Sequence, residues 1–255
     1  MKKLWVVVGM MVLSVCQVMA QDYKVSKSTG KLDVKDLNNV EFEGTTGNEI
    51  IFTSRNGKRD KDERAIGLKA VSAMGLEDNT GMGLSVVEKG DVIEVRQLKK
   101  MDGPDVKILV PKGVSISLSH SSPHGSDIKF TNVEGEIEVS TVHNGVYLDN
   151  TTGPLTINTV HGEIEAKLPA NFKNPISLLS VHGAVDLALP TTTKATMKMT
   201  TVYGEIFVDP DFKLAVETKG DLVKYSSNTV NGKINGGGLD ITLSSTHGSV
   251  YLRKK

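Results

Sequence analysis

Once its first twenty residues are set aside, this chain has no cysteine, because its single cysteine is Cys16. Disulfides, thiolate zinc sites and cysteine nucleophiles are thereby excluded together for the remainder. Aromatic residues are scarce as well, 5% of the chain, which argues against base stacking and against aromatic sugar platforms. Neither sign of charge dominates, with 30 basic and 30 acidic residues in the whole chain. Removing Lys2 and Lys3 leaves 28 basic against 30 acidic, a net charge near −2, so nothing recommends nucleic acid as a partner. A convincing amphipathic helical period is missing too; Glu63 to Met74 is the weak candidate.

The longest apolar run lies at the N-terminus. Lys2 and Lys3 precede Leu4 to Val15, and Val18-Met-Ala20 offers small residues for cleavage before Gln21. This is the pattern of a signal peptide over residues 1–20, and the run is short for the roughly 20 apolar residues of a membrane helix. A lipidated reading would use Leu13-Ser-Val-Cys16, but Val15 stands where a small residue is wanted. The expectation is export, to the periplasm, the outer-membrane surface or the medium of a Gram-negative bacterium.

What the chain does have is a repeat. Leu155-Thr-Ile-Asn-Thr-Val-His161-Gly-Glu-Ile-Glu-Ala166, Ile176-Ser-Leu-Leu-Ser-Val-His182-Gly-Ala-Val-Asp-Leu187 and Met197-Lys-Met-Thr-Thr-Val-Tyr203-Gly-Glu-Ile-Phe-Val208 are its clearest copies. Looser copies place corner residues at His124, His143, Asn231 and His247. Around the corners at His143, His161, His182, Tyr203 and His247, apolar residues recur six and four positions before and three and five after, with mostly polar residues between, which is the alternation of half-buried strands. The Val before most corners (Val142, Val160, Val181, Val202, Val230) is expected to tuck the bend inward. The Gly that follows is expected to supply a backbone conformation other residues resist. Two short strands cannot bury their own apolar face, so copies must stack.

The predicted fold is all-β: a single-stranded β-solenoid or β-helix of two-strand coils, each about 20 residues long. An antiparallel meander or sandwich is the alternative, but Asn-Gly hairpin signals occur only at Asn144-Gly145 and Asn231-Gly232 among the corners. Residues 111–255 form the repeat portion and 21–110 a less regular β-rich portion. Within the latter, Leu37 to Phe42 and Asn48 to Phe52 read as strands, Arg55 to Arg64 as a solvated charged loop, and residues 83–95 as a hairpin. The opposite corners vary in length (149–153, 169–175, 190–194, 209 to about 220, 235–238) and are rich in Gly, Pro, Asn and Thr. Insertions therefore gather on one edge, the candidate binding face.

With the leader, the Lys107-Ile-Leu-Val-Pro111 entry segment and the serial Val-His-Gly-x-Ile corners in place, the chain resembles the bacterial putative-adhesin family. The likeness covers about residues 80–252 well and 22–79 loosely. It implies an exported β-solenoid with an adhesive or scaffolding role, an envelope or surface ligand (glycan or protein), no catalytic residues and no cofactor.

A periplasmic structural or signalling accessory is an alternative role for the same exported fold, and two sharper readings stand beside it. Five of the six histidines fall in the corner column, and the ladder His143, His161, His182 would be the place for a metal ion. Tyr203 and Asn231 in the same column favour a stacked polar ladder instead. A carbohydrate-active enzyme would need a carboxylate pair at defined separation, with Glu134, Glu136, Glu138, Glu163, Glu165, Asp209 and Asp211 as candidates. The glutamates alternate with apolar residues and so belong to a solvated sheet face. Gly81-Met-Gly83 precedes a strand rather than a helix, which is no nucleotide loop.

Overall fold

The computed structural model describes residues 22–56, 63–216 and 228–255. The predicted leader with Cys16, the middle of the Arg55–Arg64 run and the end of the 209–220 stretch lie outside the described residues.

The alternation in the repeats becomes two walls of strand. Ile137, Leu155, Ile176, Ile241 and Met197 follow one another across one sheet in parallel register. Val146, Ile164, Val185, Val250 and Ile206 do the same across the other. All of these except the half-buried Ile206 are buried, while the Thr, Ser, Glu and Lys between them face outward. One sheet has ten strands and the other eleven, and their inner faces form one continuous core. Parallel pairing between successive coils rules out the meander, because a hairpin joins only antiparallel strands.

Eight coils stack among the described residues, but not in chain order. Spatially they run 92–111, 29–45, 113–131, 137–149, 155–167, 176–189, 239–254 and 195–208. The strands Thr29–Lys35 and Asn39–Thr45 slot between Val92–Gln97 with Asp105–Pro111 and Gly113–His120 with Ile128–Thr131. At the other end, Leu239–Ser245 and Val250–Lys254 slot between the 176–189 and 195–208 coils. Each terminal region thus becomes the second coil from its end, clamped on both sides by strands from further inside the chain. The stretch where the repeat pattern blurs supplies two complete coils, with Phe42 and Phe130 stacked at 4.8 Å in the core.

Among the described residues, antiparallel strands finish both ends of the eleven-stranded sheet and one end of the ten-stranded sheet, whose other end is the parallel strand Ile206–Val208. Leu84–Lys89 pairs with Val92–Gln97 as the expected hairpin, while Ile50–Ser54 and Asp22–Val25 extend the other sheet beyond Asp105–Pro111. Asn228–Ile234 covers Ala195–Thr201 and pairs in turn with Ala215–Val216. Stacks left open would offer long unpaired edges. The weak helix candidate is only a 3-10 turn, Glu63–Ala65. No helix among the described residues is long and apolar enough to cross a membrane.

Candidate functional site

The corner edge is built in layers from within. Two residues before each ring stands a buried hydroxyl: Thr141, Thr159, Ser180, Thr201 and Ser245. Thr141 Oγ1 donates to the Asn144 carbonyl at 2.8 Å and Thr159 Oγ1 to that of Gly162 at 2.6 Å. The others reach across to the neighbouring coil. Ser180 donates to the Gly162 carbonyl (3.1 Å), Ser245 to that of Gly183 (2.8 Å) and Thr201 to that of Gly248 (3.0 Å). Each of those three also accepts from its own corner glycine N–H at 2.9–3.0 Å. A hydroxyl that donates and accepts satisfies two backbone groups that the bend takes out of the sheet ladders.

The valines therefore do not tuck inward. The hydroxyl residues hold that position, and Val181 and Val202 are 37% and 39% exposed, with Val142 and Val160 half-buried. The glycines also serve a purpose different from the expected one. None of Gly162, Gly183, Gly204 and Gly248 has positive φ. A Cβ on each would lie 2.0–2.3 Å from a backbone carbonyl oxygen of the adjacent coil. Glycine is required because the backbones touch.

Outside this layer the rings form one exposed column. Ring centroids are 5.3 Å apart for His143–His161, 4.8 Å for His161–His182, 4.7 Å for His182–His247 and 4.8 Å for His247–Tyr203. Interplanar angles are 8–13°. The backbone N–H groups of His161, His182 and His247 each bond at 2.8 Å to a Val carbonyl of the coil below, fixing the register. Near-parallel rings with centroids 4.7–5.3 Å apart keep the in-plane nitrogen lone pairs from converging on one point, as the roughly 2.0–2.1 Å bonds of a shared zinc require. No group of three or more His, Cys, Asp or Glu among the described residues is placed to hold a metal ion.

Two predicted members of the column lie elsewhere. Asn231 sits inside the strand Asn228–Ile234, opposite Lys198. Its Val-Asn-Gly imitates a corner in spelling only, since the chain runs straight through it. His124 is displaced because its corner is three residues longer. His120 pairs with Thr141, and Ile128 with Val146, so eight steps replace five. His120 thereby takes the buried hydroxyl position, its Nε2 3.3 Å from Asn38 Oδ1. Burial holds its pKa below the ordinary histidine value, against the opposing pull of the Asp36 carboxylate. His124 instead borders two neighbouring cavities of about 520 and 340 Å³, which share Met101.

The candidate hydrolytic carboxylates are dispersed over the surface. Glu134 pairs with Lys112 at 2.7 Å, Glu138 with Lys31 at 3.4 Å, Glu165 with Lys167 at 2.5 Å and Asp211 with Lys254 at 2.5 Å. Glu163 accepts a short hydrogen bond from the Tyr147 hydroxyl and so raises the tyrosine's pKa. Asp209 accepts from the Asp211 N–H at 3.0 Å. At Gly81-Met-Gly83, the Asp78 carboxylate takes the N–H groups of Thr80, Gly81 and Gly83 at 2.8–3.0 Å. Those donors are not offered to a phosphate.

A family model described as Toastrack DUF4097 matches residues 10–253. No curated protein matches the chain. Among solved structures it is similar to a putative cell adhesion protein from Clostridium sporogenes, at 10% identity and a TM-score of 0.42, over 93% of this chain and 100% of that one. It is also similar to a putative adhesin from Bacteroides fragilis, at 10% identity and a TM-score of 0.30, over 93% of this chain and 96% of that one.

Proposed function

This chain belongs to the Toastrack DUF4097 family, and on that premise we propose that it is exported and acts as a non-enzymatic, adhesin-like scaffold. Its ring-bearing edge contacts an envelope or surface ligand. The observation that carries this reading is the exposed column of five stacked rings, His143, His161, His182, His247 and Tyr203. Stacking covers the ring faces and leaves the edges outward. Each imidazole edge offers a donor and an acceptor, repeated every 4.7–5.3 Å. A row of that kind suits an extended, repetitive ligand such as a glycan chain better than a compact one.

The opposite edge, where insertions gather, is a weaker binding face. Its loops spend their distinctive side chains on sealing the core: Phe172 and Phe212 are buried. Asn174 donates to the Thr152 carbonyl at 2.7 Å, and Asn235 to those of Thr191 and Thr193 at 2.8 Å. A non-enzymatic role is supported by the engagement of Glu134, Glu138, Glu165 and Asp211 with surface cations, of Glu163 with the Tyr147 hydroxyl and of Asp209 with a backbone donor.

The test is binding of the chain to a panel of extended glycans and to envelope fractions. A His161→Ala, His182→Ala double substitution is expected to weaken binding at least tenfold, with the bound glycan recovered at full length. Binding untouched by that substitution removes the edge from the account, and shortened glycan removes the non-enzymatic reading. Export is checked separately, by N-terminal sequencing of extracytoplasmic protein, with Gln21 expected first.

A further inference from the structure

Residues 63–77 carry an apolar surface that the solenoid does not use. Ile66, Leu68, Val71 and Met74 are 75%, 73%, 62% and 63% exposed, and none belongs to the core. The segment is nevertheless a folded lobe. Leu68 N–H bonds to the Ala65 carbonyl at 3.0 Å, Ser72 N–H to that of Leu76 at 2.8 Å, and Val71 bridges to Glu77. Met74 also borders the cavity of about 520 Å³, together with Leu98 and Met101. Met101 is itself largely exposed. The same wall presents Arg96 and Lys100, together with Lys35, which pairs with Asp33 at 2.9 Å, against the carboxylate of Asp36. That carboxylate already accepts from the Ser121 N–H and hydroxyl at 3.0 and 3.2 Å.

Apolar side chains beside an excess of cations call for an anionic, amphiphilic partner. A single small amphiphile would fill the cavity but leave Ile66, Leu68 and Val71 in water. A bilayer surface satisfies both at once. We propose that this lobe and cavity form a docking surface for an anionic lipid bilayer. The lobe's apolar side chains enter the acyl boundary while Lys35, Arg96 and Lys100 lie among the headgroups. The site lies apart from the ring column, and its failure would leave the reading of that edge untouched.

The experiment is vesicle flotation of the full chain with phosphatidylcholine vesicles and with mixed phosphatidylcholine–phosphatidylglycerol vesicles, at low and high salt. Partition into the mixed vesicles is expected to exceed that into neutral ones by about tenfold and to fall severalfold at high salt. A Leu68→Ser, Val71→Ser double substitution is expected to cost about another tenfold, and Lys100→Glu about fivefold. In a Trp5→Phe background, Met74→Trp should shift its emission to the blue on mixed vesicles alone. Equal partition into both vesicle types overturns the proposal, as does binding that ignores the lobe substitutions, which is what a leader-driven interaction gives. Saturable binding of dodecanoate without vesicle binding overturns it in favour of a small-amphiphile site. Concentration-dependent self-association abolished by the double substitution, without lipid binding, assigns the lobe to a second copy. Because the substituted side chains are exposed, circular dichroism and Tm should not change. Should the double variant fail to fold, Lys100→Glu and Met74→Trp still decide the matter.

Discussion

The two edges of the solenoid solve one problem by different physics. On the ring edge the five ring-bearing coils bend in the same way. A buried hydroxyl staples the turn, a glycine lets backbones touch, and a ring stacks on the ring below. The opposite edge makes contact of this kind at Gly44, Gly135 and Gly153, where an added Cβ would fall 1.9–2.1 Å from a carbonyl oxygen of the adjacent coil. Elsewhere it closes loop by loop, with Phe172 and Phe212 as plugs and Asn side chains bonding to carbonyls. A uniform edge makes an array, whereas a loop-by-loop edge makes only a seal. That contrast is why the binding surface is assigned to the first.

The comparison is tested most severely at its tightest point. Gly183→Val would drive a side chain into the Gly162 carbonyl, 2.1 Å from where its Cβ falls, and is expected to cost more than about 3 kcal/mol. Gly236 on the loop edge has open space around its absent Cβ and φ +87°, so Gly236→Ala should cost only about 1 kcal/mol. Urea denaturation of the pair measures the gap, and equal costs would erase the distinction between the edges. Phe212→Ala is expected to cost about 3 kcal/mol by opening a cavity under the loop edge. Ser245→Ala, which breaks one inter-coil staple, should cost about 1–2 kcal/mol.

Acid sharpens the contrast at the corner where a histidine, His120, takes the hydroxyl's place. The folded pKa of His120 is lowered by burial, so the unfolded chain binds protons more readily. Stability is then fully present above the unfolded value of about 6.5 and declines as pH falls through it towards the folded one. His120→Thr restores the residue found at that register in the next coil and should flatten this decline in melting curves between neutral and acidic pH. An unaltered decline would place the acid sensitivity elsewhere. The smallest effect is expected at the rings themselves. His161→Ala removes an exposed side chain and should change stability by no more than about 0.5 kcal/mol, even though it weakens ligand binding.

Much of this was legible from the chain alone, and the reason is local. The alternation that begins at Leu155 did not need the fold to be seen: Leu155, Ile157, Ile164 and Ala166 line the core because strands alternate, and copies with identical spacing stack in register. The hydroxyls were equally visible, recurring two residues before every ring, but a Thr or Ser in a β-rich chain carries no mark that says which side it faces. The order of coils was not legible. Corner copies at His182 and Tyr203 look successive along the chain, yet His247 lies between them, because parallel pairing depends on the sheet edge available and not on chain distance. Asn231 misled for a related reason: its neighbours spell a corner, but the strand capping Ala195–Thr201 runs antiparallel and never turns there. His124 was lost to a three-residue insertion, which no local pattern distinguishes from a shifted repeat.

The central claim is that coil order, and it can be read directly because the chain beyond Cys16 has no thiol to interfere. Two variants in a Cys16→Ser background, His182→Cys with His247→Cys and His182→Cys with Tyr203→Cys, are oxidised under identical mild conditions. Neighbouring parallel strands lie about 4.8 Å apart, within disulfide reach, and next-nearest ones do not. The first variant is expected to form an intramolecular disulfide and the second to keep its free thiols; cross-linking in the second and not the first would contradict the account.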